Sequence, residues 1–360
     1  MTLAQSREIR FRVEQFRQTF HREEIDAALL LKRADITYFT GQSVHYSALL
    51  VTARRIVHLV HATDYEFARL RSFREIELFP FSGLLEDCLQ EWFTQLAFTR
   101  CGFDPLDMNV QLFEHLEQAG HLDRMISKPA LTSAIREIKS KSEIKALVRC
   151  AEMTYRLIEC LVADARETNT EKWLVDRLIQ RAASLKCIPA FNPIVCSGTN
   201  SSMPHAQPGD DKIGRGVLTI IDFGLIHQNY CSDIALTFTI GRPSVLKRKV
   251  VRNIWSVLTG AISRFRTGDS IGDLGAWIHT EIDQRIGRDA YITPPGHGIG
   301  IELHESPFIH SNSNKKLLEG MVFCLEPGVY IPGWGGARFE MPVLVNRFGL
   351  DPLVRLPSQD

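Results

Sequence analysis

The chain changes character near Ser140. Before it, apolar runs at 27–31, 47–52, 56–60 and 76–81 have the length and continuity of buried strands, and 9–20 and 65–73 carry apolar residues at helical spacing. Strands alternating with helices predict a small α/β N-terminal domain over residues 1–135. It contains no glycine-rich phosphate loop and no tight acid or histidine cluster, so no chemistry is read from it.

From Ser140 onward the pattern lengthens. Ser140 and Glu143 form a capping-box pair ahead of the helical stripe Ile144, Leu147, Val148, Ala151, Tyr155, Ile158 and Leu161. Thr168 with Glu171 gives a second start signal before a helix at 173–185. Strands are expected at 191–196, 217–223 and 230–240. The order then recurs, with helical stripes at 250–262 and 274–286, the second behind Ser270 and Asp273. Strands follow at 299–303, 321–325 and 338–345. Two helix–helix–strand blocks of roughly 100 residues predict a duplicated α+β unit around one sheet, over residues 136–360, without a visible sequence repeat.

Composition removes several function classes. With 42 Lys plus Arg against 42 Asp plus Glu, the 360-residue chain has no bulk attraction for nucleic acid or an anionic membrane. No apolar run approaches the roughly 18 residues of a membrane span, and the charged N-terminus lacks the apolar stretch of a secretory signal. Eight scattered cysteines without a CxxC pair read as reduced thiols of a cytoplasmic protein.

Candidate chemistry lies in two predicted hairpins. In VLTIIDFGLIHQNYCSDIALTFTIG, pairing Asp222 with Asp233 centres the turn between His227 and Gln228 and sets the carboxylates face to face. In FCLEPGVYIPGWGGARFEMPVLV the same arithmetic pairs Glu326 with Glu340 around Gly333. Each alone is as well explained by turn formation or surface exposure. Two carboxylates so close repel by roughly 3 kcal/mol at an effective dielectric of about 20. Two such pairs in apolar strands therefore call for a cation between them, and oxygen donors suit a hard divalent one.

Histidines complete the set. His297 sits between glycines in PPGHGIGIELHE, where the backbone can approach a ligand closely. His304 lies seven residues on, so strict alternation puts the two on opposite faces. A shared site requires a bulge near 298–300. His205 lies in the loop SGTNSSMPHAQPGDD, and His227 falls at a hairpin tip.

Asp222 in IDFG, Asp233 in YCSD, His297 in GHGIG, Glu326 in LEPGVY and Glu340 in ARFE resemble, in order and spacing, the five metal ligands of the pita-bread metallopeptidases. The chain is similar to their Xaa-Pro branch, prolidase and aminopeptidase P. The first 135 residues resemble that branch's creatinase/prolidase-type domain. The resemblance implies an α+β pita-bread catalytic domain and two divalent ions (Mn, Co, Zn or Fe, with Mn favoured). Asp222 would hold one ion, His297 and Glu326 the other, with Asp233 and Glu340 bridging. It further implies attack by a metal-bridging hydroxide on the bond before proline, with Glu326 shuttling the proton and His304 and His205 contacting substrate. Arg338 would orient Glu340, and the protein would be a homodimer.

Three positions depart from the family pattern: Leu236 where Arg is usual, Met341 where Asp is usual, and Gln228-Asn229 at the turn. They keep alive another hydrolase or lyase on the same fold, acting on a small polar substrate. A non-catalytic peptide-binding module is a third expectation, opposed by the intact ligand set. About 135 residues ahead of the catalytic region disfavour a methionine aminopeptidase.

Overall fold

The computed structural model describes residues 3–287, 290 and 293–357, and the chain divides into two units, Met1–Ile135 and Arg136–Asp360. In the first unit, α1 (Leu3–Thr19), β1 (Ala27–Leu30), α2 (Arg33–Thr40), β2 (Ser47–Thr52) and β3 (Ile56–His61) are followed by α3 (Ala62–Arg69) and β4 (Glu77–Phe81). Then come α4 (Leu85–Gln95), β5 (Cys101–Phe103), α5 (Val110–Gln118) and β6 (Met125–Ser127). The strands form one mixed sheet, ordered β4-β3-β2-β1-β5-β6. Every residue of β1 and β2 is buried, as their unbroken apolar runs require. On one face Ala27, Leu29, Leu50 and Leu59 join Leu89 and Phe93 of α4 and Leu112 and Leu116 of α5 in a single core.

A short helix, α6 (Ser133–Glu137), precedes the long helix α7 (Lys141–Asp164). The capping box is present: Ser140 Oγ accepts from the Glu143 amide, and Glu143 accepts from the Ser140 amide. The next helix, α8 (Glu171–Ser184), is capped by Thr170, whose hydroxyl accepts from Trp173 N, and not by Thr168. Glu171 is thereby the first helical residue. Its buried carboxylate turns away from any box and accepts from Ser197 N, Gly209 N and Asn200 Nδ2.

The strands of this unit are β7 (Ile188–Pro189), β8 (Ile194–Ser197), β9 (Thr219–Phe223), β10 (Leu225–His227), β11 (Tyr230–Cys231) and β12 (Ile234–Phe238). After helices α9 (Val245–Arg264) and α10 (Ile271–Arg285) come β13 (Gly296–Gly298), β14 (Glu305–Ile309), β15 (Val322–Leu325) and β16 (Gly328–Ile331). The last are β17 (Gly335–Arg338), β18 (Met341–Asn346) and β19 (Gly349–Pro352). Ser270 caps α10, as expected. The helix–helix–strand order does recur, but the strands do not make one sheet. Among the described residues they form ladders of three, three, five and two strands, and an Ala235–Glu340 bridge joins the first half to the second.

Strand alternation explains how these ladders carry both a core and a site. Ile221 and Phe223, Ile234 and Leu236, Phe323 and Leu325, Ala337 and Phe339, and Met341 and Val343 pack in one core with Ile158, Leu178, Val257, Leu274 and Ile278 of the helices. The intervening positions, with a period of two, point the other way. They are Asp222, Asp233, Cys324, Glu326, Arg338 and Glu340.

Candidate metal centre

The first hairpin closes two residues away from its expected register. Gln228 and Asn229 both have positive φ, 52° and 69°, giving a two-residue turn with His227 opposite Tyr230. Asp222 accordingly pairs with Ala235, and Asp233 is its diagonal neighbour on the same face. Between them the ladder breaks at Gly224 and Ser232. A Cβ on Gly224 would lie 2.0 Å from the Ser232 carbonyl oxygen, so this approach requires glycine. Ser232 Oγ instead accepts from Leu225 N at 3.0 Å. The second hairpin keeps its expected register: Leu325 pairs with Met341 and Gly328 with Arg338, which brings Glu326 and Glu340 alongside each other around a turn at Gly333.

His297 reaches the same place from β13. The ladder shifts between His297 and Gly298, from His297 opposite Phe308 to Gly298 opposite Glu305. Residues 299–304 leave the sheet there, correcting the strand expected at 299–303. Gly300 N donates to Glu302 O in a tight turn, and Gly300 O accepts from Cys231 N. The excursion brings the His304 ring to 4.2 Å from that of His297, at 86°. His297 Nδ1 is 3.1 Å from the Gly298 carbonyl, which leaves Nε2 for the site. Nε2 lies 3.4 Å from Glu340, 3.6 Å from Asp233 and 3.9 Å from Glu326.

Electrostatically the cluster is unfinished. Asp222 Oδ1, Asp233 Oδ1 and Glu340 Oε1 are buried and accept no hydrogen bond. Burial, then neighbouring carboxylates, pushes Asp233 well above the usual range and Glu326 up to about 8. Burial also raises Asp222, to about 6, against the pull of Arg338. Burial opposes the charge on Glu340 too, but His297 outweighs it and holds that carboxyl low. Ligand atoms of Asp222, Asp233 and Glu340 lie within 4.8 Å of one another, as do those of Asp233, His297 and His304. Four carboxylates beside one imidazole, three of them with a buried oxygen that accepts no hydrogen bond, fit hard divalent cations.

Arg338 does not orient Glu340 as expected. Its guanidinium donates to Asp222 and, at 3.2 Å, to the Tyr330 hydroxyl. His205 is exposed on its loop, where its charge would depress the His304 pKa, already lowered by burial and by His297. His227 lies beside Cys187, 3.7 Å from its sulfur, and outside the cluster. Cys324 shares a ligand-sized space with His297 and Glu340. Its position two residues before Glu326 on one strand face was the signal available in the sequence. Leu236 and Met341 both face the helices, 7% and 2% exposed, so neither departure reaches the site.

The comparisons fit this geometry. The Creatinase/Prolidase N-terminal domain model matches residues 12–138 and that of metallopeptidase family M24 matches 133–347. An Xaa-Pro dipeptidase of Pyrococcus horikoshii is 27% identical over 349 residues, covering 96% of this chain and 97% of its own. Among solved structures, an Xaa-Pro dipeptidase from Bacillus anthracis superposes with a TM-score of 0.91 at 25% identity, over 97% of this chain and 98% of that one. An X-Pro aminopeptidase from Thermotoga maritima gives 0.84 at 27%, over 94% and 97%. No helix among the described residues is long and apolar enough to cross a membrane. With its pita-bread architecture, its N-terminal creatinase-type domain and a buried cluster of metal-binding character, the chain belongs to metallopeptidase family M24.

Proposed function

We propose that this metallopeptidase hydrolyses the peptide bond preceding proline in dipeptides or short oligopeptides, at two divalent ions held by Asp222, Asp233, His297, Glu326 and Glu340. The observation carrying this reading is the convergence of those side chains, with Asp222 Oδ1 and Asp233 Oδ1 buried and accepting no hydrogen bond and Glu340 Oε1 met by His297 Nε2 at 3.4 Å. The names borne by the relatives, Xaa-Pro dipeptidase and X-Pro aminopeptidase, support the substrate class. When bound, the ions would polarise the scissile carbonyl and lower the pKa of a water from about 16 to about 7, providing hydroxide as nucleophile.

The chain's own residues supply the rest. Asp222 would help hold one ion and His297 with Glu326 the other, and Asp233 and Glu340 would contribute to holding both. Glu326 has the most exposed side chain of the four acids, 14% against 9% or less, which supports its passing a proton to the leaving nitrogen. His304, exposed at the rim, donates a hydrogen bond to the substrate, and His205 approaches from its loop. Residues 1–135 form the non-catalytic domain and 136–360 the catalytic one, in a cytoplasmic homodimer that favours Mn.

The test is a panel of Xaa-Pro dipeptides, Xaa-Pro-Yaa tripeptides and non-proline controls, given to metal-stripped protein reloaded with Mn, Co, Zn or Fe. Cleavage confined to proline substrates and dependent on reloading is the expected result. Equal cleavage of the controls, or none with any metal, overturns the reading. Preference between dipeptides and tripeptides then separates dipeptidase from aminopeptidase.

A further inference from the structure

Directly after His304 the chain places a buried acid that has no part in the metal cluster. Glu305 is 7% exposed. Its Oε1 accepts from Lys139 Nζ at 2.9 Å, while Oε2 takes the Arg136 guanidinium and, at 3.2 Å, the Glu302 backbone amide. Burial alone would raise this carboxyl's pKa, but the two cations overturn that and hold it below its usual range. The carboxylate also fills the space beside Gly300, where a Cβ would meet Oε1 at 2.3 Å. Arg136 additionally pairs with the Glu302 side chain at 2.8 Å.

His304 therefore lies between two anchored residues. Glu302 is held through its amide and side chain, and Glu305 through its carboxylate. Leu303, between Glu302 and His304, packs against the apolar cluster that contains Leu147, Tyr230 and Ile299. Lys139 is itself fixed, its side chain only 1% exposed and its amide donating to Gly320 O at 2.8 Å. A solvated loop needs no such arrangement, since an ion pair buried this deeply is expensive unless fully satisfied.

We propose that Glu305, clamped by Lys139 and Arg136, is a positioning residue that holds the 299–304 turn so that the His304 imidazole meets the substrate. The inference rests on the proposed function for its substrate, and on the structure alone for its geometry.

The experiment uses the full metal-loaded chain as wild type, Glu305→Gln, Lys139→Met, His304→Ala and the two double variants containing His304→Ala. Glu305→Gln and Lys139→Met should each lower kcat by about 10- to 100-fold, with KM little changed and metal content intact. Added to His304→Ala, each should cost less than about twofold more, because both act through the same imidazole. Hydrogen exchange should quicken over 299–304 and stay unchanged in β15 and β18.

Wild-type kcat in the single variants, effects that multiply with His304→Ala, or unchanged exchange would overturn the proposal. If Glu305→Gln does not fold, Lys139→Met carries the same comparisons, since it leaves Arg136 on Glu305. If wild type cleaves no proline peptide, the function reading falls separately. The exchange comparison then still decides whether Glu305 holds the turn.

Discussion

Arg338 and Asp222 form a buried ion pair, 3% and 9% exposed at their side chains, within the carboxylate cluster. Among the described residues Arg338 is the one Lys or Arg bonded directly to an acid of the cluster, and it fixes Asp222 through Oδ2 while Oδ1 accepts no hydrogen bond. Tyr330 holds the other branch of the guanidinium. Replacing Arg338 by Met should leave Asp222 unsupported and weaken metal binding by about 10- to 100-fold. Calorimetric titration with Mn reads the change directly. Arg338→Lys should recover only part of it, because a single ammonium cannot reach both partners in that fork.

Asp233→Ala should abolish activity while leaving the protein folded. Burial and its acidic neighbours already disfavour its charge, so the metal-free protein loses a repulsion and no apolar packing. Wild type should melt higher with added Mn, by the linkage between binding and folding, and the variant should not. Thermal melts with and without Mn decide this. Wild-type activity in the variant would remove Asp233 from the site.

Gly224→Ala should be among the most damaging small substitutions in the chain, at about 3 kcal/mol or more. The new methyl would meet a backbone carbonyl and Phe191, neither the free end of a flexible side chain. Denaturant melts measure the loss. A near-neutral result would mean that the break between β9 and β10 is not held by this approach.

In the N-terminal unit His58 is fully buried on β3, and neither ring nitrogen has a hydrogen-bond partner. Burial pushes its pKa from 6.5 down to about 4. Above pH 6.5 the imidazole is neutral whether folded or not. Below that the unfolded chain takes up the proton first, so stability falls until the pH reaches about 4 and then levels. A shift of about 2.5 units corresponds to about 3 kcal/mol. His58→Leu should flatten the stability curve by that amount between pH 6.5 and 4. Parallel slopes for the two proteins would show that His58 does not titrate as stated.

Much of this was legible because the relevant signals are local. Cap residues Ser140 and Ser270 announce their helices, and the Glu326–Glu340 register follows from a glycine-rich turn with one natural centre. The Asp222 register lies two residues from the expected one because two turn placements fit the same polar stretch. Only the positive φ of Gln228 and Asn229 distinguishes them. Sequence alternation made 299–303 look like a strand, yet its conformation is set by Glu305 and its distant partners Arg136 and Lys139. The orientation of Arg338 depends on which of two nearby acids its long side chain meets. Glu171 likewise spends its carboxylate on a loop more than twenty residues away.

The two-sided use of each strand offers protein engineers separate controls. Exchanging helix-facing residues such as Leu236, Met341 or Val343 for others of similar volume adjusts how firmly the shell is packed, while the donor atoms on the opposite side stay where they are. Heat tolerance can thus be tuned from behind the ladder, with the catalytic apparatus left as the constant in the experiment.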